Sequence, residues 1–342
     1  MITGRNGQGK TSLLEAVAWA ATASSFRRVP DAALVRSGCE SAVLHVDVDE
    51  DGRAQRVDAE LRATGRNRIL LNHNALVRTR DLLGVLRITV FTPDDLALVK
   101  GGPAERRTFL DDLLVAVTPR YDAARSDFER VLRQRNVLLR GGVTDPDTRA
   151  TLDVFDEQLV RAGGELVRGR LRLAARLTAP VGVALAALAG REVDMETAYL
   201  GEWVPGGHDP VPEEVEAALR KDLGARRHEE LRRGVTLVGP HRDDWRLKVG
   251  GLDSRTQASQ GEQRSLALAL RLAGHGVCTD IVGSEPVLLL DDVFSELDAP
   301  RAERLVGQLP RGQTLVTTAG SAPPGVAADA SFEVGDGAVL PR

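Results

Sequence analysis

Near its start the chain reads GRNGQGKTSLLEA (4–16), and this run constrains the fold more than any other. Gly4, Gly9, Lys10 and Thr11 fit the spacing G-x-x-x-x-G-K-[ST]. Glycines let successive backbone N–H groups turn inward around a phosphate. A lysine then reaches the β/γ oxygens, and a threonine hydroxyl can ligate Mg²⁺. The helical pattern that follows, TSLLEAVAWAATA, aims its positive N-terminus at the same point. In domains of this kind a buried strand delivers the chain into the loop. Only Met1, Ile2 and Thr3 precede it here. The expectation is therefore that the strand before the loop is missing, through a late start assignment or a fragment. The loop would then be anchored from one side, and its neighbouring strand would keep an exposed edge.

A chain of 342 residues can bury a substantial core and hold more than one lobe. Its 42% hydrophobic and 27% charged composition is that of a globular protein. The net charge of −4 means that any nucleic-acid surface has to be local. Cys39 and Cys278 form no C-x-x-C pair and fit a reducing cytosol. The longest apolar stretch, 177–190, is short for a bilayer span and reads as a buried helix. These features give the expectation of a cytoplasmic protein without a membrane partner.

Segments 42–48, 56–62 and 68–71 alternate as antiparallel strands do, and RITVF (87–91) reads as a further strand. From Pro103 to about Ala189 the pattern is helical, broken by GGVTDPD (141–147) into two arms. Another helix is expected over 211–233, with strands at 237–239 and 245–249. After those come a helix (262–273), a strand (286–290), a helix (300–309) and a strand (314–317). The last part is an α/β alternation, which implies a parallel sheet. The fold class is thus α/β. An ATP-binding lobe spans 1–100 and 230–342, with an antiparallel part near 42–91, and a mostly helical lobe spans 101–229. The C-terminal tail reads as loop and one short strand, with no site.

PVLLLDD (286–292) is an apolar strand ending in two carboxylates. Asp291 stands where a strand-end carboxylate holds Mg²⁺, and Asp292 where a base orients the attacking water. SQGEQRSLALALRLA (259–273) opens a helix with a Ser/Gly turn that can face an anion. Read alone, Ser259 with Glu262 also makes an ordinary capping box. HRDD (241–244) is no kinase catalytic loop, because Lys248 stands where that loop needs Asn.

The order of phosphate loop, Ser-x-Gly-x-Gln, strand-Asp-Asp and SELD (295–298) resembles the ABC-type ATPases. Within them the chain is similar to the RecF family. FTPDDLALVKGGPAERRTFLD (91–111) and TLVGPHRDDW (236–245) discriminate, since the other stretches are common to the class. The resemblance implies an ABC-type head with an inserted helical lobe. It implies that Gly4, Arg5, Asn6, Gly7, Gln8, Gly9, Lys10 and Thr11 hold ATP, with Thr11 and Asp291 serving Mg²⁺. Asp292 falls where many ABC-type ATPases carry Glu, and its shorter arm fits slow hydrolysis. Ser259, Gly261 and Gln263 would act in trans on nucleotide held by a second copy, with Asp298 at the dimer seam. A further implication is a clamp on single-stranded, gapped and duplex DNA, dimerising on ATP. Such a clamp would work with RecR and RecO in recombinational repair, replication restart and the SOS response, with a slow, DNA-stimulated ATPase as its switch.

Two features common in the class are not visible. No Gln lies between Gln55 and Gln134, and no His follows His275. Both argue against a transporter ATPase. The alternative is an SMC-like, nucleotide-gated scaffold without significant hydrolysis, although too few residues separate Lys10 from Ser259 for long coiled-coil arms. Candidate phosphate contacts on the helical arms are Arg120, Arg125, Arg130, Arg133, Arg135 and Arg140, then Arg161, Arg168, Arg170, Arg172 and Arg176.

Overall fold

The computed structural model describes residues 1–342 apart from 51, 144, 208, 321–324 and 336. In chain order it runs β1 (Ile2–Thr3), α1 (Lys10–Thr22), β2 (Ser41–Glu50), β3 (Arg53–Arg62), β4 (Arg68–Leu71), β5 (Asn74–Ala75), β6 (Ile88–Phe91), α2 (Leu96–Lys100), α3 (Pro103–Val117) and α4 (Tyr121–Gly141). It continues with α5 (Pro146–Ala189), β7 (Met195–Leu200), α6 (Pro212–Arg233), β8 (Asp244–Val249), β9 (Leu252–Asp253), α7 (Gln260–Val282), β10 (Val287–Asp291), α8 (Ala299–Val306), β11 (Thr314–Thr318), β12 (Phe332–Gly335) and β13 (Ala338–Pro341). These elements fall into two compact units. The first comprises Met1–Asp95, Ala184–Glu192 and Leu268–Arg342, and the second Leu96–Val183 and Val193–Ala267.

The first unit holds a six-stranded sheet in the order β13-β12-β1-β11-β10-β6, with β6, β10, β11, β1 and β12 parallel. The middle of the sheet must be apolar on both faces, and β10 (VLLLD) is buried over its last four residues. A separate antiparallel sheet runs β2-β3-β4-β5. Helix α1 serves both sheets. Leu14 and Ala18, one turn apart, pack with Ile2, Leu289 and Val334. Trp19, on the next face, packs with Val35, Ala59 and Leu61 from the antiparallel side. Burying one such large side chain is worth about 1.5–3 kcal/mol, so the phosphate loop leads into a firmly held helix.

The strand before the loop is present. Ile2 and Thr3 pair in parallel with Thr317 and Thr318 on one side, and with Phe332 and Glu333 on the other. This overturns the expected one-sided anchor and exposed edge. The physical reason lies in the tail. It forms the hairpin β12–β13, and β12 takes up the side that was expected to stay open. Two other differences concern strands. Residues 88–91 pair in parallel with β10 and do not extend the antiparallel sheet. Residues 237–239 form no strand, since Gly239 has φ +128° and the Leu237 amide donates to the Glu230 carboxylate at 2.7 Å.

The second unit is built on α3 to α6 and on the three-stranded sheet β7-β8-β9. The boundary drawn from the sequence puts 230–267 in the ATP-binding lobe, whereas here these residues pack in the second unit. Strand β8 pairs along its length with β7, a strand that the sequence alone does not reveal, and the Asp244 carboxylate accepts from Nε and Nη2 of Arg106 on α3 at 2.8 and 3.0 Å. Helices α5 and α7 are long and apolar enough, by length and composition alone, to cross a membrane. Their apolar residues are spent on the core: Leu159, Leu166 and Leu177 on α5, and Leu266 and Leu270 on α7, are all buried.

Candidate nucleotide site

Gly4 leaves β1 with φ +152°, and a Cβ there would run into the Val334 carbonyl oxygen of the adjoining strand. Only glycine lets the loop leave the sheet at this point. Gly9 caps α1 at φ +103° and offers no side-chain cap, so the first-turn amides of the helix stay open to an anion. The buried Lys10 folds back along the loop, donating from Nζ to the carbonyls of Gly4 at 2.7 Å and Arg5 at 3.0 Å. Arg5 and Asn6 are exposed at the mouth, beside Gly7 and Gln8.

Strand β10 brings its carboxylates to the same end of the sheet. Thr11 Oγ1 donates to Asp291 Oδ1 at 2.9 Å. The hydroxyl of Thr317 donates to the same oxygen at 2.8 Å and accepts from the Asp292 amide at 3.0 Å. Asp292 sits at φ 51°, and its Oδ1 is buried without a hydrogen-bond partner. A buried carboxylate oxygen left unpaired is costly, and a ligand or a water that donates to it relieves the cost. A threonine hydroxyl beside one carboxylate, with a second carboxylate next in sequence, is an all-oxygen set that suits Mg²⁺ with waters completing its shell. Phosphate loop, Thr11, Asp291 and Asp292 thus come together in one unit. Thr317, which the sequence motifs do not single out, links the Asp291 carboxylate to the backbone amide of Asp292.

Ser259, Gly261 and Gln263 lie together in the second unit, at the start of α7. The Ser259 amide and hydroxyl donate to Glu262 Oε2 at 3.0 and 2.8 Å, and the Glu262 amide returns a bond at 3.3 Å, so the capping box is formed. Ser259 itself is exposed, whereas Gln263 is buried and turned inward. Asp298, in the first unit, caps α8 by accepting from the Arg301 amide at 2.9 Å, and it also takes the Arg301 guanidinium at 2.6 Å.

Two of the arginines read as phosphate contacts are core residues. Arg135 is fully buried and donates to Asp156, Thr236 and Glu230 at 2.6, 2.8 and 2.6 Å. Arg170 is buried against both oxygens of Asp111, at 2.6 Å each. Periodicity failed here because a guanidinium satisfied by carboxylates can occupy an inward helix position. Arg120, Arg130, Arg133, Arg140, Arg161, Arg172 and Arg176 remain exposed.

The HRDD run is absorbed into the second unit. His241 Nε2 pairs with the Thr236 carbonyl at 3.1 Å, and burial lowers its pKa to about 4. Asp243 accepts from Tyr199 at 2.8 Å and from Trp203 at 3.0 Å, yet burial still raises its pKa to about 6.

Comparison with known proteins bears on this geometry. The family model described as RecF/RecN/SMC N terminal domain matches residues 1–321. The DNA replication and repair protein RecF of Kineococcus radiotolerans is 46% identical over 334 residues, covering 92% of this chain and 85% of the relative. That of Frankia alni is 47% identical over 330 residues, covering 93% and 86%. A solved structure of the recombination mediator protein RecF with ATP, in the RecFOR pathway, superposes with TM-score 0.90 at 29% identity, covering 100% of this chain and 90% of that one. An Smc head domain derived from Pyrococcus furiosus superposes with TM-score 0.54 at 16% identity, a likeness of fold alone.

Proposed function

The chain belongs to the RecF family, and on that premise we propose that it is an ATP-gated clamp on DNA that serves replication and repair. The observation that carries the reading is the meeting of Thr11, Asp291 and Asp292 at the mouth of the phosphate loop, joined through Thr317. Lys10 and the open amides of α1 bind the β- and γ-phosphates. Thr11 and Asp291 would hold Mg²⁺, which neutralises phosphate charge when bound. The unpaired Oδ1 of Asp292 orients a water for in-line attack and accepts its proton. Asp is one methylene shorter than Glu, so turnover is slow and ATP acts as a switch.

Closure needs two copies. Ser259 and the first turn of α7 in one copy face the γ-phosphate held by the other, and Asp298 lies at the seam. Ser259 is exposed, as this requires. Closure gathers the exposed arginines of α4 and α5 from both copies along DNA phosphates. Single-stranded, gapped and duplex DNA are the substrates, RecR and RecO the partners, and the cytoplasm the compartment. Fluorescence anisotropy on a gapped duplex tests the reading. Binding should tighten with ATP and Mg²⁺ in the wild type and not in Lys10→Ala; equal binding with and without ATP would refute it.

A further inference from the structure

Gln263 belongs to the Ser-x-Gly-x-Gln run, yet its side chain does not point outward with Ser259. Its Nε2 donates to the Ser254 carbonyl at 3.0 Å and to the Arg255 carbonyl at 3.0 Å. The residue is 4% exposed, so both donors are committed inside the second unit. From the turn it holds, Arg255 Nε donates to the Lys100 carbonyl at 3.2 Å. The Lys100–Gly102 turn is fixed in its own right. Arg106 donates to the Gly101 carbonyl at 3.1 Å while clasping Asp244 at 2.8 and 3.0 Å. A Cβ on Gly101 would run into the Ala97 carbonyl oxygen, so the turn accepts only glycine there.

We propose that Gln263 is a positioning residue. It clamps the 254–258 turn ahead of Ser259 and, through Arg255, ties the start of α7 to the Lys100–Gly102 turn. Three separate stretches of sequence (KGGPAERR, HRDDW and SQGEQ) are then one hydrogen-bonded element whose task is to hold Ser259 in place. Its consequence for closure rests on the proposed trans role of Ser259. The clamp itself does not.

The variants are Gln263→Met, which keeps the volume and removes the donors, and Arg255→Ala, an exposed site whose loss should spare folding. Hydrogen exchange of the 250–259 segment is followed in the nucleotide-free chain, alongside dimerisation with Mg-ATP and the melting temperature. Losing two hydrogen bonds should speed exchange of that segment by about tenfold in Gln263→Met, and Arg255→Ala should show a smaller rise. Dimerisation should weaken about tenfold in Gln263→Met while each chain still binds ATP. Unchanged exchange in both variants overturns the clamp. Faster exchange with undiminished dimerisation, while Ser259→Arg abolishes it, overturns the link to closure. If the wild type does not dimerise with ATP, it is the closing-clamp reading that fails, and the exchange result still decides the role of Gln263.

Discussion

Thr317 Oγ1 donates to Asp291 Oδ1 at 2.8 Å while accepting from the Asp292 amide at 3.0 Å, so one hydroxyl fixes the Asp291 carboxylate and the backbone of Asp292 together. Thr317 is fully buried, and Thr317→Val keeps its shape while leaving the Asp292 amide without this partner. That should cost about 1–3 kcal/mol in urea unfolding, with a parallel loss of Mg-dependent ATP affinity. Thr317→Ser should restore both. Calorimetric titration with ATP, with and without Mg²⁺, checks this.

The exit from β1 leads to a second expectation. Gly4→Ala places a methyl group against the Val334 carbonyl oxygen, at a φ of +152° that L-residues rarely adopt. A loss of about 1–3 kcal/mol is expected, together with loss of ATP binding. Gly7→Ala has open space around the new Cβ and should cost less, although its φ of +80° is also strained. Thermal unfolding with and without ATP compares the two.

These two sites show how unevenly the fold was legible. The glycine spacing, Lys10–Thr11 and the apolar run ending in Asp291 could be read because each depends on local residue types. The position of Ile2–Thr3 could not. A two-residue strand carries no periodicity, and its second neighbour, β12, arrives from the far end of the chain. Strand β7 was hidden for a related reason, since its partner β8 lies more than forty residues on. Arg135 and Arg170 were read as surface because helical spacing reports position and not the carboxylates waiting at a distant helix or loop.

The buried arginines give a contrast. Arg135→Ala strands the fully buried Glu230 carboxylate and should cost about 3–5 kcal/mol. Arg133→Ala, exposed two residues earlier, should stay within about 0.5 kcal/mol. Chemical denaturation separates them. If Arg133 contacts DNA phosphate, its removal should also lower the salt dependence of DNA binding.

Opposed pH effects follow from His241 and Asp243. Burial lowers the His241 pKa to about 4, so its contribution is present above its unfolded value of 6.5 and is lost as pH falls towards 4. Asp243 is raised to about 6, so its contribution is present below its unfolded value of 3.8 and is lost as pH rises through 6. From pH 4 to 7, Asp243→Asn should therefore gain stability relative to the wild type, and His241→Gln should lose it. Urea midpoints across that range give the signs directly.

ATP is proposed to close two copies of this chain on each other. Sedimentation velocity with Mg-ATP, for the wild type beside Ser259→Arg, addresses this closure most directly. The wild type should form a nucleotide-dependent dimer, and Ser259→Arg should stay a monomer that still binds ATP. A wild type that binds ATP and stays monomeric, or a Ser259→Arg chain that dimerises equally well, would contradict it.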